Sequence, residues 1–461
     1  MTDLTSDVMR SAPRGGAAWP YALAAVALGA VAGSAVGSVA SVSQLLLLIV
    51  GLFVAAIVLF RYQVGAVLIV LTLPLDEFGR VLSSPVSVTV FHLALVLTIA
   101  SWGIALARGD ARLRFSVVDL GIGALIFAAL WSFPTSLAPS ATAFATVRLV
   151  FLWLFTLFFA NVLTSRRLLD WVTWTLVATA AGTALLASAQ KYVPGFNFGS
   201  VRLVSDRGTL STRVGAFFHD PNYLAGFLSV ALIVTIALLV HSKTWGRVGV
   251  CVGAAAIISL GVAVTLSRTG LVGVAAGVVV IVATAPRRRM APLALGIGVI
   301  MLLLALAAPS QLINRVRSIG EVSGDQSNAT RVYMYPSAYE IARDNLAFGT
   351  GLGAFRYAYP AYRRVEADST VVKPHEIPLS LVSETGVAGI ITQLVLIWGL
   401  TVTFWRRRPN GWTTAESFAL AGIVSLGVQS LFQYYLYFEY VWLFIAFAVA
   451  ANRIARQEEA L

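Results

Sequence analysis

One histidine stands out because of its place in the chain. His375 lies at the end of the longest polar stretch of the sequence, residues 309–376, and a long apolar segment follows it directly. Imidazole is the side chain best suited to accept a proton near neutral pH, so His375 is a candidate general base. The alternative interpretation is a surface histidine with no chemical role. The other three histidines are scattered, without the spacing of metal ligands: His92, His219 and His241.

Two arginines fall where short external loops normally avoid positive charge. Arg213 lies in the polar loop Lys191–Pro221, and Arg268 lies in the tight turn Ser267–Gly270. Arginine can bind phosphate through two parallel hydrogen bonds, so this pair indicates a ligand that carries phosphate. The structural alternative is that each guanidinium reaches water along its apolar stem or pairs with a carboxylate.

Two further charged residues lie inside long apolar segments, Arg148 and Glu384. A charge in such a segment must face a partner or a wet cavity. For Arg148, a functional role and an internal ion pair are both open. Glu384 is interpreted as a buried structural carboxylate, for which Arg268, Arg331 or Arg148 is the expected cationic partner.

The long polar stretch also contains a glycine-rich turn, Phe348–Gly353. It does not follow a strand of a βαβ unit, so its three glycines indicate a tight turn or a close backbone approach rather than a nucleotide site. Residues Arg331–Asn345 before it have helical periodicity, which Pro336 would kink or restrict to a helix start. Four aromatic residues follow, suited to stacking on sugar rings or to a membrane interface: Phe355, Tyr357, Tyr359 and Tyr362.

The composition defines the class of protein that must position these residues. Of the 461 residues, 58% are hydrophobic and 12% are charged, with a mean hydropathy of +0.83. This composition excludes an ordinary soluble globular domain and predicts a polytopic membrane protein. The single cysteine, Cys251, excludes a disulfide framework. The net charge of +12 is attributed to membrane topology rather than to nucleic-acid binding, since Lys and Arg accumulate in cytoplasmic loops.

We predict an all-α polytopic fold with about 14 transmembrane helices (12–14) and one large external loop that contains short helices, because apolar segments of roughly 17–25 residues can cross a bilayer. The predicted spans are Trp19–Ala40, Gln44–Phe60, Gln63–Leu75, Val88–Arg108, Val117–Thr135, Ala141–Leu163, Leu168–Gln190, Asn222–Val240, Gly246–Leu266, Thr269–Ala285, Pro292–Ala308, Ile377–Trp405, Ala415–Tyr434 and Tyr437–Ala451.

The basic residues orient these spans. Under strict alternation, eight groups of Lys and Arg fall on one side, which is therefore predicted to be cytoplasmic together with both termini. The first apolar segment is expected to be a retained helix rather than a cleaved signal peptide. The predicted organisation is a cytoplasmic tail (1–18), a transmembrane bundle (19–308) with the external loop 191–221, a large external catalytic loop (309–376), C-terminal transmembrane helices (377–452) and a cytoplasmic tail (453–461).

Four ordered motifs between Arg213 and Gln393 resemble the O-antigen ligase and polysaccharide polymerase superfamily of bacterial membrane glycosyltransferases. Each motif alone is only weakly specific for this family. Their order along the chain and their predicted position on one side of the membrane make the set as a whole specific. The motifs are Arg213–Ala225 (RVGAFFHDPNYLA), Leu266–Gly270 (LSRTG), Arg331 with Gly349–Phe355 (GTGLGAF), and His375 with Glu384–Gly389 (ETGVAG).

The resemblance implies a donor glycan on undecaprenyl diphosphate, with Arg213 and Arg268 holding the diphosphate. By the same resemblance His375 would activate an acceptor hydroxyl, without a metal or another cofactor. The acceptor would be lipid A–core or another glycan, and the active site would face the periplasm from the bacterial inner membrane. The chain departs from many members by having Pro374 and Glu376 beside the histidine, where an asparagine is expected. Supporting residues in this scheme are Arg148, Asn222, Arg331 and Glu384.

Three functions remain open at this point. The leading hypothesis is a ligase that joins a finished glycan to an acceptor in one inverting, metal-independent displacement. A polymerase, whose acceptor is another lipid-linked repeat unit, is the close alternative. A transporter of the same lipid-linked glycan is an alternative of another class. It would need a polar path through the bundle, for which Arg148 is the one strong intramembrane charge.

Overall fold

The computed structural model describes residues 42–76, 80–82, 88–196, 198–206, 209–286, 289, 294, 297–298, 326–364, 375–405 and 411–460. The first predicted span and most of the eleventh lie outside these residues, as do Lys373 and Pro374.

The described residues form fifteen α-helices. Their bounds are α1 Val42–Phe60, α2 Tyr62–Thr72 (followed by a 3₁₀ turn, Leu73–Leu75), α3 Val90–Ala107, α4 Val117–Trp131, α5 Pro139–Val162, α6 Arg166–Tyr192, α7 Pro221–His241, α8 Trp245–Thr265, α9 Arg268–Thr284, α10 Gln326–Asp344, α11 Phe355–Tyr362, α12 Pro378–Thr385, α13 Val387–Phe404, α14 Thr414–Ser430 and α15 Glu439–Glu459.

Six of these helices are long and apolar enough to cross a membrane, which supports a polytopic membrane protein. They are α3, α5, α6, α7, α8 and α13. Four shorter apolar helical segments lie at Gly51–Phe60, Tyr62–Leu75, Val117–Trp131 and Arg268–Thr284. The total of 14 spans and their orientation remain predictions.

Two antiparallel hairpins interrupt the helical pattern, and the sequence analysis predicted neither. The first pairs β1 (Arg80–Leu82) with β2 (Val88–Thr89). The second pairs β3 (Ser200–Asp206) with β4 (Thr209–Ala216) within the loop between α6 and α7. The second hairpin forms where β-branched residues recur, valine in β3 and threonine and valine in β4, because such residues favour a pleated surface.

The twelfth predicted span, Ile377–Trp405, is not one continuous helix. Gly386 has φ 64° and ψ −143°, a conformation that strongly favours glycine, and it separates α12 from α13. Hydropathy averaged over the whole span does not show this break, because the long apolar helix after Gly386 outweighs the polar residues Ser383–Thr385 before it. As a result, α12 is a short helix of eight residues, and Glu384 lies near its C-terminal end.

Helix α7 forms the centre of the bundle. In its apolar window 89% of the residues are buried, more than in any other candidate span of the described chain. Small residues allow its neighbours to approach closely: a Cβ added at Gly270 in α9 would lie 2.9 Å from the Ala225 Cβ of α7. This packing brings the first turns of α7 and α9 side by side.

Candidate functional site

Arg213 lies where strand β4, the end of α8 and the start of α7 meet. It lies on β4, and its Nε donates a hydrogen bond to the Thr265 carbonyl at the end of α8, at 2.8 Å. Its Nη2 donates to Oδ1 of Asn222, in the first turn of α7, also at 2.8 Å. The β3–β4 hairpin therefore positions the guanidinium over the bundle, and this part of the site depends on the strands that the sequence analysis missed.

The Ser-Arg-Thr-Gly turn meets the same asparagine. The Ser267 hydroxyl donates to Asn222 Oδ1 at 2.9 Å, across 45 residues of sequence. Ser267 is also the N-cap of α9, since its oxygen accepts from the Gly270 amide at 3.4 Å. Arg268, the next residue, is the first of α9 and is half-buried. The two arginine motifs are therefore adjacent, and Asn222 joins them.

The electrostatics of this cluster favour an anion. Both α7 and α9 begin here, and the N-terminus of a helix carries a partial positive charge and unpaired amide groups. Arg213 and Arg268 add two permanent charges. The nearby carboxylate of Asp220 accepts from the backbone N–H of Asn222 at 2.8 Å and so caps α7. Guanidinium groups beside two helix N-termini are chemically suited to phosphate.

Two backbone conformations beside the cluster are strained. Leu266 (φ 52°) and Ala216 (φ 48°) are the only non-glycine residues with positive φ among the described residues. Leu266 directly precedes Ser267, and Ala216 follows Arg213 by three residues. Both are buried, so their packing holds them in a conformation that L-residues rarely adopt. Such strain is found at functional sites, where the surrounding structure maintains it.

A short series of contacts links the His375 motif to this cluster. The Ile377 amide donates to the Ser430 carbonyl at 2.9 Å, at the end of α14. The Tyr435 hydroxyl, in the turn after α14, lies 3.4 Å from Gln429 Oε1 and donates to the Asn222 carbonyl at 2.9 Å. The half-buried His375 therefore lies at the end of the bundle that carries the arginines. The sequence analysis did not predict a role for Tyr435 or Gln429. Their polar side chains, within and directly after the apolar helix α14, could have indicated a contact with the site.

Glu376, next to His375, is buried and caps α12. Its Oε2 accepts from the Leu379 amide at 2.7 Å, and its Oε1 accepts from the Ser380 amide at 2.9 Å. Burial raises the pKa of this carboxyl to about 7, although the two amide hydrogen bonds act to lower it. In the sequence Glu376 is visible only as a departure from the family pattern, because glutamate is not a preferred capping residue.

The glycine-rich turn packs directly against the break between α12 and α13. The Thr350 amide donates to Ser383 O at 3.1 Å, and the Gly351 amide donates to Glu384 O at 2.9 Å. A Cβ added at Gly349 would lie 2.3 Å from the Glu384 carbonyl carbon. These contacts confirm the interpretation of the glycines as a tight turn with close backbone approach. The turn satisfies carbonyls at the C-terminal end of α12.

The aromatic residues after this turn divide into two groups. Phe355 and Tyr359 are buried and stack at 5.5 Å between ring centroids, in a small core that α10 and α11 share. Interpreting these two as platforms for sugar rings is therefore wrong, because their faces are covered by protein. Tyr357 is exposed and Tyr362 is half-buried against the same core, so stacking on a sugar ring stays a prediction for these two. Helix α10 confirms the predicted helical periodicity and continues through Pro336.

Glu384 is a buried residue whose Oε1 accepts from the Phe355 amide at 3.1 Å. This hydrogen bond connects α12 to the start of α11, and the cationic partner expected for Glu384 stays a prediction. Arg148, one of its expected partners, lies 3.8 Å from both Asp76 Oδ2 and Glu439 Oε1.

Arg148 also donates a hydrogen bond to the Tyr437 carbonyl at 2.9 Å. Of the two alternatives for this residue, the geometry corresponds to the internal ion pair. The side chain of Arg331 lies outside the described part of the chain.

A comparison with known proteins bears on this arrangement. Residues 253–394 match the family model of the O-antigen ligases. The matched region includes the Ser267–Arg268 turn, the glycine-rich turn, His375 and Glu384, whereas Arg213 and Asn222 precede it. No curated protein matches the chain. This match confirms the predicted resemblance to the O-antigen ligase and polymerase superfamily over the matched region.

Proposed function

Because residues 253–394 match the family model of the O-antigen ligases, we propose that the protein transfers a glycan from a lipid diphosphate to an acceptor hydroxyl. The donor in this proposal is an undecaprenyl-diphosphate-linked glycan, and the acceptor is lipid A–core or another glycan. The reaction takes place at the end of the bundle where α7 and α9 begin, which the charge pattern predicts to face the periplasm.

The observation that carries the proposal is the convergence of the two arginine motifs on Asn222. Its Oδ1 accepts from Arg213 at 2.8 Å and from Ser267 at 2.9 Å, and Arg268 follows Ser267 directly. A leaving diphosphate gains negative charge as its bond to the sugar breaks. Fixed guanidinium groups and helix N-termini stabilise that charge more in the transition state than in the ground state.

His375 is the proposed general base. The acceptor oxygen attacks the anomeric carbon from the face opposite the diphosphate, and the bond from that carbon to the diphosphate oxygen breaks. The acceptor proton passes to the imidazole, and the configuration at the anomeric carbon is inverted. Base catalysis of this kind contributes roughly 10²–10⁴-fold to a rate.

A polymerase is the second candidate, because the same site chemistry would serve a lipid-linked acceptor. The two reactions differ in where the product is found: polymerisation leaves it on the carrier lipid, whereas ligation removes it. The transporter is less well supported, since Arg148, its main argument, is engaged with Asp76 and Glu439.

The test is a transfer assay with the purified full-length protein, lipid-linked donor, candidate acceptors and excess EDTA. Release of undecaprenyl diphosphate is followed for the native protein and for His375→Ala, Arg213→Ala and Arg268→Ala. We expect His375→Ala to bind donor normally and to lose about 10²–10⁴-fold in turnover. The arginine variants should lose donor affinity as well as turnover.

Arg456→Ala is a matched control, because Arg456 is an exposed arginine near the C-terminal end of α15. It should retain native donor affinity and turnover. Full turnover by a folded His375→Ala protein would exclude the proposed base. Movement of intact donor across the bilayer without release of diphosphate would favour the transporter instead.

A further inference from the structure

A second basic site lies at the other end of helix α6. The β3–β4 hairpin contacts the C-terminal end of this helix, where Lys191 donates to the Thr212 carbonyl at 2.7 Å. The N-terminal end, at Arg167, lines a cavity of about 950 Å³. Helix α6 has 27 residues and is therefore about 40 Å long. The cavity is thus remote from the candidate transfer site.

Five arginines line this cavity against one carboxylate. They come from four parts of the chain: the α1–α2 junction, the α3–α4 loop, the start of α6 and the end of α15. The carboxylate, Asp110, is engaged by Arg108 at 3.3 Å, which offsets its charge. The cavity therefore has a strong positive potential. Its arginines are Arg61, Arg112, Arg114, Arg167 and Arg453.

The end of α5 holds two of these arginines in place. Asn161 is buried, and its side chain makes two hydrogen bonds to the backbone of Arg114. Its Oδ1 accepts from the Arg114 backbone N–H at 2.8 Å, and its Nδ2 donates to the Arg114 carbonyl at 3.0 Å. Arg453 Nη1 donates to the Ala160 carbonyl at 2.8 Å. Burial lowers the pKa of Arg453, and the positive charge of Arg114 lowers it further. The Asp119 carboxylate acts in the opposite direction and offsets part of this effect. An anion bound between Arg114 and Arg453 would relieve their remaining repulsion.

Membrane topology alone does not explain this arrangement. The rule that basic residues accumulate on the cytoplasmic side requires arginines in these loops, but it does not require them to converge on one cavity. Trp171 lines the same cavity and is 59% exposed, as expected for an aromatic residue at a membrane interface. The volume is also within the range of small-molecule sites.

We propose that this cavity binds a phosphate group, supplied by the headgroup of an anionic membrane phospholipid or by a soluble phosphate compound. The convergence of Arg112, Arg114, Arg167 and Arg453 on one open cavity carries the proposal. It is independent of the transfer reaction, because none of these residues takes part in that site.

The test measures the thermal unfolding midpoint of the full-length protein in a neutral detergent. Three additions are titrated separately: dioleoyl phosphatidylglycerol, dioleoyl phosphatidylcholine and inorganic phosphate. A ligand that binds only the folded state raises the midpoint in proportion to its occupancy. We expect phosphatidylglycerol to raise it and phosphatidylcholine to leave it unchanged. A rise with inorganic phosphate but not with phosphatidylglycerol would assign the site to a soluble compound.

Variants then locate the binding. Arg112 and Arg167 are exposed, so Arg112→Gln and Arg167→Gln are compatible with folding. Each should weaken the apparent affinity for phosphatidylglycerol about fivefold, whereas Arg112→Lys should restore most of it. Arg456→Gln, on the same helix as Arg453 but outside the cavity, should bind as the native protein does. Equal responses to the two lipids with no response to phosphate, or native affinity in both cavity variants, would overturn the proposal.

Discussion

Arg213 and Asn222 are joined by a hydrogen bond of 2.8 Å from the guanidinium Nη2 to the amide Oδ1. The same oxygen accepts from the Ser267 hydroxyl at 2.9 Å. Two donors on one oxygen fix the orientation of the amide and bring together motifs that are distant in sequence. The asparagine therefore has a positioning role. Because its side chain carries no charge, it positions the arginine without repelling an anion at the site.

Asn222→Asp should preserve both hydrogen bonds and yet weaken donor binding. The new carboxylate can accept from Arg213 and Ser267, but it places a negative charge beside the proposed diphosphate. A repulsion of about 1–3 kcal/mol corresponds to roughly 5- to 150-fold in affinity. Donor affinity and the thermal midpoint are measured together. Asn452→Asp, at the far end of α15, is the control; equal losses in both variants would contradict a local effect.

Gly386→Ala should destabilise the fold through a direct clash. An added Cβ would lie 2.5 Å from the Leu346 carbonyl oxygen, at a backbone φ of 64°. Gly411→Ala is a matched control, because its φ is also positive, at 77°, and nothing lies within 4 Å of the added Cβ. The control should cost about 1 kcal/mol from backbone strain, and Gly386→Ala should cost at least 1–3 kcal/mol more. Denaturant unfolding in detergent compares the two.

Arg148→Gln alone should lower the free energy of unfolding more than the double replacement of Arg148→Gln with Glu439→Gln. Removing the guanidinium leaves the carboxylates of buried Glu439 and half-buried Asp76 without the cation between them, at a cost of about 1–3 kcal/mol because Arg148 is itself partly exposed. Neutralising Glu439 as well removes one of those charges. Unfolding free energies of the native protein, both single variants and the double variant complete the cycle. If the free-energy changes of the two single variants sum to that of the double variant, the 3.8 Å contacts do not contribute to stability.

Glu376 should make the fold less stable as the pH rises. Its folded pKa of about 7 lies above the ordinary value of 4.5, so its favourable contribution is complete below pH 4.5 and is lost as the pH rises through 7. Between pH 5 and pH 8, the native protein should lose about 2–3 kcal/mol relative to Glu376→Gln. Thermal midpoints across this range measure the difference.

Glu340→Gln is the control for that experiment, because it removes a half-buried carboxylate of α10 that pairs with Arg364 at 2.9 Å and does not contact Glu376. Its pH dependence should follow that of the native protein. Parallel midpoint curves for Glu376→Gln and the native protein would show that the carboxyl of Glu376 does not titrate in this range.

Local features of the chain could be predicted from the sequence. Hydropathy predicted a span at Gly246–Leu266, and the helix extends over Trp245–Thr265, because a bilayer-spanning helix satisfies its own backbone and needs only a continuous apolar run. The candidate arginines were found for a similar reason: their positions within polar loops are visible without knowing any contact.

The pairing of side chains depended on tertiary structure. The sequence indicated Arg148 only as one of three possible partners of Glu384, and packing instead brought it to Asp76 and Glu439. The break at Gly386 depends on the turn at Leu346–Gly351, which supplies backbone partners from an earlier part of the chain. Asn222 became central because the hairpin and the α8–α9 turn meet above it. Contacts between residues far apart in sequence arise from packing of the whole bundle, so hydropathy and spacing contain no information about them.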